Sequence, residues 1–183
     1  MMMNRIAIQY FPTPFGELIL GAFDGKLCLC DWRYRKMREA VDKRIQKGLG
    51  ANYAEDDNAV LSETRTQLEE YFDGTRREFT VPLLFVGTDF QQSVWQALLR
   101  IEYGSTATYL QLSEMLGNRD AIRAVASANG ANAISIIVPC HRIIGSDGAL
   151  VGYAGGLPAK QKLLSLENPL FAKKISAQVA LEL

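Results

Sequence analysis

The amino-acid sequence predicts an α+β chain of two small domains. A small N-terminal α/β domain with an antiparallel sheet covers residues 1–86, and a mostly helical C-terminal domain with a winged helix-turn-helix covers residues 87–183. Three observations predict it. The chain opens with β-rich runs separated by tight-turn signals. From Thr88 the apolar spacing lengthens to that of helices, twice preceded by a Thr-x-x-Gln capping pattern. A helix–glycine turn–helix pattern then leads into an apolar run ending at Pro139-Cys140-His141-Arg142.

In chain order, Arg5–Phe11 reads as a strand, Pro12–Gly16 as a turn and Glu17–Phe23 as a second strand. Asp24-Gly25 is a strong two-residue hairpin signal, and Lys26–Trp32 returns as a third strand. Met37, Val41 and Ile45 recur at helical spacing, Lys47–Asn58 is a polar loop, and a second helix spans Val60–Phe72 with Gly74 beyond its end. Phe79–Leu84 reads as a further strand, and Val86–Asp89 as the linker.

Thr88-x-x-Gln91 starts the next helix, with Phe90, Val94, Leu98 and Leu99 as its apolar face, Trp95 beside it and Gly104 closing the segment. Thr108-x-x-Gln111 starts a short helix, Tyr109–Leu116; Gly117-Asn118 turns the chain, and a second helix runs from Arg119 to Asn129. That helix is crowded with Ala and Ser, which allow close approach to another backbone, whether a DNA groove or a neighbouring helix. Ile134–Val138 reads as a buried strand, Ser146-Asp147-Gly148 as a turn and Leu150–Gly156 as a loop over the thiol. Pro158 suits the first turn of a last helix, Lys160–Glu167, stopped by Asn168-Pro169; the tail after Phe171 is a short helix or a frayed end.

Composition narrows the classes. With 183 residues, 48% of them hydrophobic, the chain can bury a real core. No apolar run reaches the length of a membrane span, and the start lacks a signal peptide's apolar core and cleavage site. Three cysteines are too few and too scattered for a disulfide framework, so a reducing cytoplasm is expected. Cys28 and Cys30 alternate with Leu27 and Leu29 as one face of a strand; with a single histidine, the chain offers no metal site. Net charge is zero, so any nucleic-acid contact rests on local geometry rather than a global basic field.

The chemistry concentrates at Cys140 and His141, the only histidine. The thiolate is the reactive form of cysteine, and an adjacent base generates it. A free cysteine more often packs as a small hydrophobe, and neighbours on an extended segment point to opposite faces, so the pair alone does not assign catalysis. If both act, His141 reaches the thiol through a turn or a water.

The wider string is more specific. Pro139-Cys140-His141-Arg142, followed by Gly152-Tyr153-x-Gly155-Gly156-Leu157-x-x-Lys160-x-x-Leu163-Leu164-x-x-Glu167, closely resembles the O6-alkylguanine-DNA alkyltransferase family, the methylated-DNA–protein-cysteine methyltransferases. The resemblance runs from Asp89 to Glu167 and more weakly back to the N-terminus, where it implies an RNase H-like domain. It implies a monomer that binds double-stranded DNA with alkylated bases, needs no cofactor, and takes the alkyl group of O6-methylguanine, and of O4-methylthymine, irreversibly onto Cys140. By the same resemblance His141 is the base, Glu167 orients it, and Asn132 organises the turn under the site. Tyr109, Tyr153, Gly155, Gly156 and Arg142 contact the base or DNA, and Arg123 is an arginine finger that fills the space of a flipped base.

Ala133 stands where the family usually has proline and Ala154 where serine is common, which puts substrate range rather than the reaction in question. Two other readings stay open: an alkyltransferase-like lesion binder without catalysis, against which Cys140 itself counts, and a Cys-His hydrolase or thiol regulator built on a helix-turn-helix.

Overall fold

The computed structural model describes residues 4–173. Strands β1 (Arg5–Thr13), β2 (Gly16–Phe23) and β3 (Lys26–Trp32) form the expected antiparallel meander. The hairpin between β2 and β3 turns on Asp24 and Gly25, both with positive φ, at 49° and 73°. That conformation matches the twist of the strands it joins, and glycine adopts it at little cost.

Helix α1 (Arg38–Leu49) buries Val41 and Ile45; Met37, expected on the same face, precedes the helix and is exposed. The segment expected as one polar loop, Lys47–Asn58, contains a strand, β4 (Asn52–Glu55), parallel to β1. Its side chains carry no buried alternation, since it is recruited by the open backbone edge of β1 rather than by apolar burial. The sheet order is therefore β3-β2-β1-β4. Asn58 caps α2 (Ala59–Phe72), its side chain accepting from Leu61 N at 3.0 Å. Phe79–Leu84, expected as a strand, makes only one bridge, Leu27 to Leu83. Pro82 lacks the amide hydrogen that a ladder needs, though its carbonyl accepts from Leu27 N at 2.8 Å.

Both capping boxes of the helical domain are present. Thr88 and Gln91 close the start of α3 (Asp89–Leu98), and Thr108 and Gln111 that of α4 (Tyr109–Met115). A cap of this kind contributes about 1 kcal/mol. Trp95 belongs to the buried face of α3, its indole N–H donating to Ala128 O at 2.8 Å. This turns Phe90 and Leu99, expected on that face, toward solvent. Gly117 (φ 73°) follows α4, a single 3-10 turn spans Arg119–Ala121, and α5 (Ile122–Gly130) completes the helix-turn-helix. A short parallel pair, β5 (Ala107–Thr108) with β6 (Ile143–Ile144), lies beside it, and α6 (Leu157–Glu167) follows with Pro158 in its first turn. The tail expected after Phe171 falls mostly outside the described residues. Among those described, no helix is long and apolar enough to cross a membrane.

One correction matters for function. Ile134–Val138 is a buried turn, not a strand: Val138 N bonds Ile134 O at 3.0 Å, and Ile136 sits at φ 71°. A β-branched residue at positive φ is strained by about 1–3 kcal/mol, so its surroundings must hold it. They include the free edge of β3, where Cys30 N donates to Ala133 O at 2.9 Å and Ser135 N to Cys30 O at 2.6 Å. The sheet of one domain thus clamps the turn that carries Cys140 in the other.

Candidate active site

A single 3-10 turn, Cys140–Arg142, follows the buried turn. Cys140 is 5% exposed and lies on the wall of a cavity of about 750 Å³ that opens between the two domains. Tyr109 from α4, Asn129 from α5, and Tyr153, Gly155 and Gly156 from the loop before α6 share that wall. Burial pushes the Cys140 thiol up, while the Asn132 side chain and the Lys160 ammonium pull it down. Left to itself the sulfur is a thiol, and nucleophilic attack requires that its proton be taken.

The two residues after it enter a buried hydrogen-bonded network. His141 Nε2 lies 2.7 Å from Glu167 Oε1. Arg142 grips the same carboxylate with two N–H donors, at 2.8 and 3.0 Å, and the Tyr71 hydroxyl donates to it at 2.7 Å. Burial pushes the Glu167 carboxyl up, but hydrogen bonds and charge from His141 and Arg142 outweigh it and hold it at about 2. Burial also lowers His141, against the pull of Glu167, so the imidazole is neutral near pH 7. With Nε2 committed to the carboxylate, Nδ1 is buried and has no partner among the described residues. A neutral imidazole fixed at one nitrogen and unbonded at the other can accept a proton.

Asn132 is buried beside the turn that leads to Cys140. Its Nδ2 donates to Val138 O at 3.0 Å and its Oδ1 accepts from Ile134 N at 2.9 Å, pinning both ends of the strained turn. Tyr153 accepts from the Trp32 indole N–H at 3.0 Å and meets the His141 ring edge-on at 6.4 Å. Gly155 presses on the same indole: a Cβ there would lie 2.5 Å from Trp32 Cε2. Gly156, at φ 86°, takes up the left-handed turn into α6.

Arg123 stands exposed on α5, next to the solvent-facing Ile122. Arg142 departs from expectation. Its guanidinium is buried against Glu167 and donates to Ile101 O at 2.6 Å, so it belongs to the charge network behind the thiol rather than to a surface that meets DNA. A carboxylate buried at that depth needs a fixed cation, and the adjacent arginine supplies it.

Sequence reasoning missed three groups. Tyr71 arrives from α2, in a domain that showed no chemistry of its own. Lys160, quoted only as part of a motif, is fully buried; its ammonium donates to Ile143 O, to Val151 O at 2.6 Å and to Gly152 O at 3.4 Å, tying down the loop over the thiol. Asp31, at 0% exposure, receives Arg35 (3.0 Å), Arg38 (2.9 Å) and the Ser135 hydroxyl (3.1 Å). Arg35 goes on to Asn132 O at 3.1 Å and Gly130 O at 2.6 Å. Tyr71 reaches Glu167 across 96 positions and Ser135 reaches Asp31 across 104, so only the charged residue in an apolar context, Asp31 after Leu-Cys-Leu-Cys, offered a signal.

The two halves each match a family model. Residues 6–85 match the ribonuclease-like domain of 6-O-methylguanine DNA methyltransferase, and residues 89–169 match its DNA binding domain. This chain belongs to the 6-O-methylguanine DNA methyltransferase family. A Haemophilus influenzae relative, named methylated-DNA–protein-cysteine methyltransferase, is 39% identical over 91% of this chain and 88% of its own length. A Mycobacterium leprae protein of the same name is 51% identical over 61% of this chain and 68% of its own. The crystal structure of the Mycobacterium tuberculosis O6-methylguanine methyltransferase aligns with a TM-score of 0.76 at 37% identity, over 90% of this chain and 93% of the other. A second structure from that organism, solved in complex with DNA, also gives 0.76, at 39% identity over 92% and 94% of the two chains. Membership gives the cavity beside Cys140 its chemical context.

Proposed function

We propose that this chain repairs alkylated DNA by direct reversal, accepting the methyl group of O6-methylguanine, and of O4-methylthymine, onto Cys140. The observation that carries the reading is the half-committed imidazole: His141 is bonded to Glu167 through one nitrogen and unbonded at the other, directly after a thiol that borders an open cavity. His141, through a water, takes the thiol proton, and the Glu167 carboxylate balances the imidazolium that forms. The sulfur attacks the methyl carbon in line; an S–C bond forms as the C–O6 bond breaks. Tyr109 donates a proton to the departing base, which leaves as guanine.

The base reaches the cavity by leaving the duplex. Flipping costs a few kcal/mol, offset by Arg123 filling the vacated stack and by contacts from Tyr153, Gly155 and Gly156. The product is a thioether, which has no hydrolytic exit, so each molecule reacts once. The three free thiols, Cys28, Cys30 and Cys140, fit a reducing, cytoplasmic setting, and we read the protein as a monomer on DNA.

Intact mass after mixing with duplex DNA bearing one O6-methylguanine tests the reading, with Cys140→Ala alongside. One methyl gained on Cys140 by the parent and none by the variant is the expected result. Tight lesion binding with no adduct would instead mean a sensor.

A further inference from the structure

We propose that the loop between β3 and α1, Tyr34–Met37, is a second DNA contact, in which Tyr34 and Met37 pack on nucleotides flanking the extruded one and Lys36 meets a phosphate of the same strand. The proposal rests on the reading above that the chain acts on duplex DNA, and it places a determinant of that binding in the sheet domain, outside the helix-turn-helix.

The segment Arg33-Tyr34-Arg35-Lys36-Met37-Arg38 is dense in cations, yet three of them face inward or sideways. Arg33 pairs with Glu17 at 3.0 Å, while Arg35 and Arg38 converge on buried Asp31 at 3.0 and 2.9 Å. Lys36 alone of the four is exposed without an acid in ion-pair range among the described residues. The pairing fixes what the loop presents outward. Tyr34 is 77% exposed and Met37 57% exposed, unusual for large apolar side chains on a loop held so firmly.

Their position supplies the partner. Tyr34, Lys36 and Met37 border the same cavity as Cys140 and Tyr109. The loop is tied to the end of α5, where Arg35 donates to Gly130 O at 2.6 Å. A strand that delivers a nucleotide into this cavity crosses its rim, and this loop is part of the rim. The chemistry fits that strand. The ring of Tyr34 is backed by the Arg33 guanidinium, 5.2 Å from its centroid, and an exposed aromatic face stacks on any base without regard to sequence. An unpaired ammonium beside it suits a phosphate. In a chain of zero net charge, DNA affinity has to come from such local placements.

Single-turnover methyl transfer from a duplex with one O6-methylguanine, measured from roughly 50 to 200 mM salt, tests the loop in the full-length protein. Tyr34→Ala should slow transfer about tenfold, the size of one lost base–aromatic contact, and Tyr34→Phe should retain the parent rate. Lys36→Ala should flatten the log–log salt slope by about 0.9, one phosphate contact. Thermal midpoints, and the rate at which iodoacetamide modifies Cys140, should match the parent and so exclude damage to the site. If the parent transfers methyl while Tyr34→Ala and Lys36→Ala match it at every salt concentration, the loop is not a DNA contact and the functional reading stands without it. If the parent itself gains no methyl, the functional reading fails and takes the loop's role with it.

Discussion

The Tyr71 hydroxyl, carried by the sheet domain, donates to Glu167 Oε1 at 2.7 Å, the same oxygen that holds His141 Nε2. The carboxylate at the end of α6 is therefore shared between two domains, and its position depends on both.

Tyr71→Phe removes one donor from a buried anion while keeping the packed ring. It should cost about 1.5–3 kcal/mol of stability, the range for hydrogen bonds to charged groups, and slow methyl transfer through a less well-held imidazole. Denaturant melts and single-turnover rates measure the two effects. Glu167→Gln is more severe, because it leaves the Arg142 cation buried without its anion; a loss of about 3–5 kcal/mol is expected.

Acid should weaken the protein in two stages. His141 is lowered by burial, so its contribution is complete above the ordinary histidine value of 6.5 and declines as pH falls below it. Glu167 is held at about 2 against an ordinary 4.5, so its contribution is complete above 4.5 and is lost as pH falls toward 2. That second stage amounts to about 3 kcal/mol. Stability against pH in the parent and in Glu167→Gln checks it: the variant should lack the loss between 4.5 and 2.

Lys160 joins three carbonyls of the segment that leads into the cavity loop, and burial pulls its ammonium down to about 8. Lys160→Met keeps the bulk but strips those carbonyls of their donor. It should destabilise by about 2 kcal/mol or more, and the Val151–Gly156 loop should become the first site of limited proteolysis. A loop as resistant as the parent's would show that its own turns hold it.

Gly155 has no room for a methyl group, since the new Cβ would overlap the Trp32 indole. Gly155→Ala should cost about 1–3 kcal/mol through forced displacement, and should slow transfer because Trp32 also positions Tyr153. Pairing it with Trp32→Leu should recover part of the stability, measured as a double-mutant cycle.

Local chemistry was legible in the sequence and distant chemistry was not. Asp24-Gly25 and the two Thr-x-x-Gln boxes carry their structure within a few residues, and all three form as read. The apolar run at Ile134–Val138 has the composition of a buried strand, and composition does not tell a strand from a turn whose backbone groups are satisfied by Asn132 and by the edge of β3. β4 escaped notice because pairing with β1, not side-chain pattern, creates it. Arg142, expected from the resemblance to meet DNA, instead pairs with a carboxylate 25 positions away that no local pattern announces. Cys140 and His141 stood out as residues, Asn132 and Glu167 only through the family resemblance, and the contacts around them depend on Tyr71, Asp31 and Lys160, which no short motif records.

The contacts of Asp31 and Arg35 also bear on portability. Cutting the chain between the two domains would strand the carbonyls of Gly130 and Asn132, the hydroxyl of Ser135 and the backbone of Ala133, all now served from across the boundary. The half that holds Cys140 is thus not a cassette to be lifted out and grafted onto another carrier. Fusions, tags and shortened versions have to keep both halves in one piece, and a library built on the helical half alone starts from a part whose footing has been left behind.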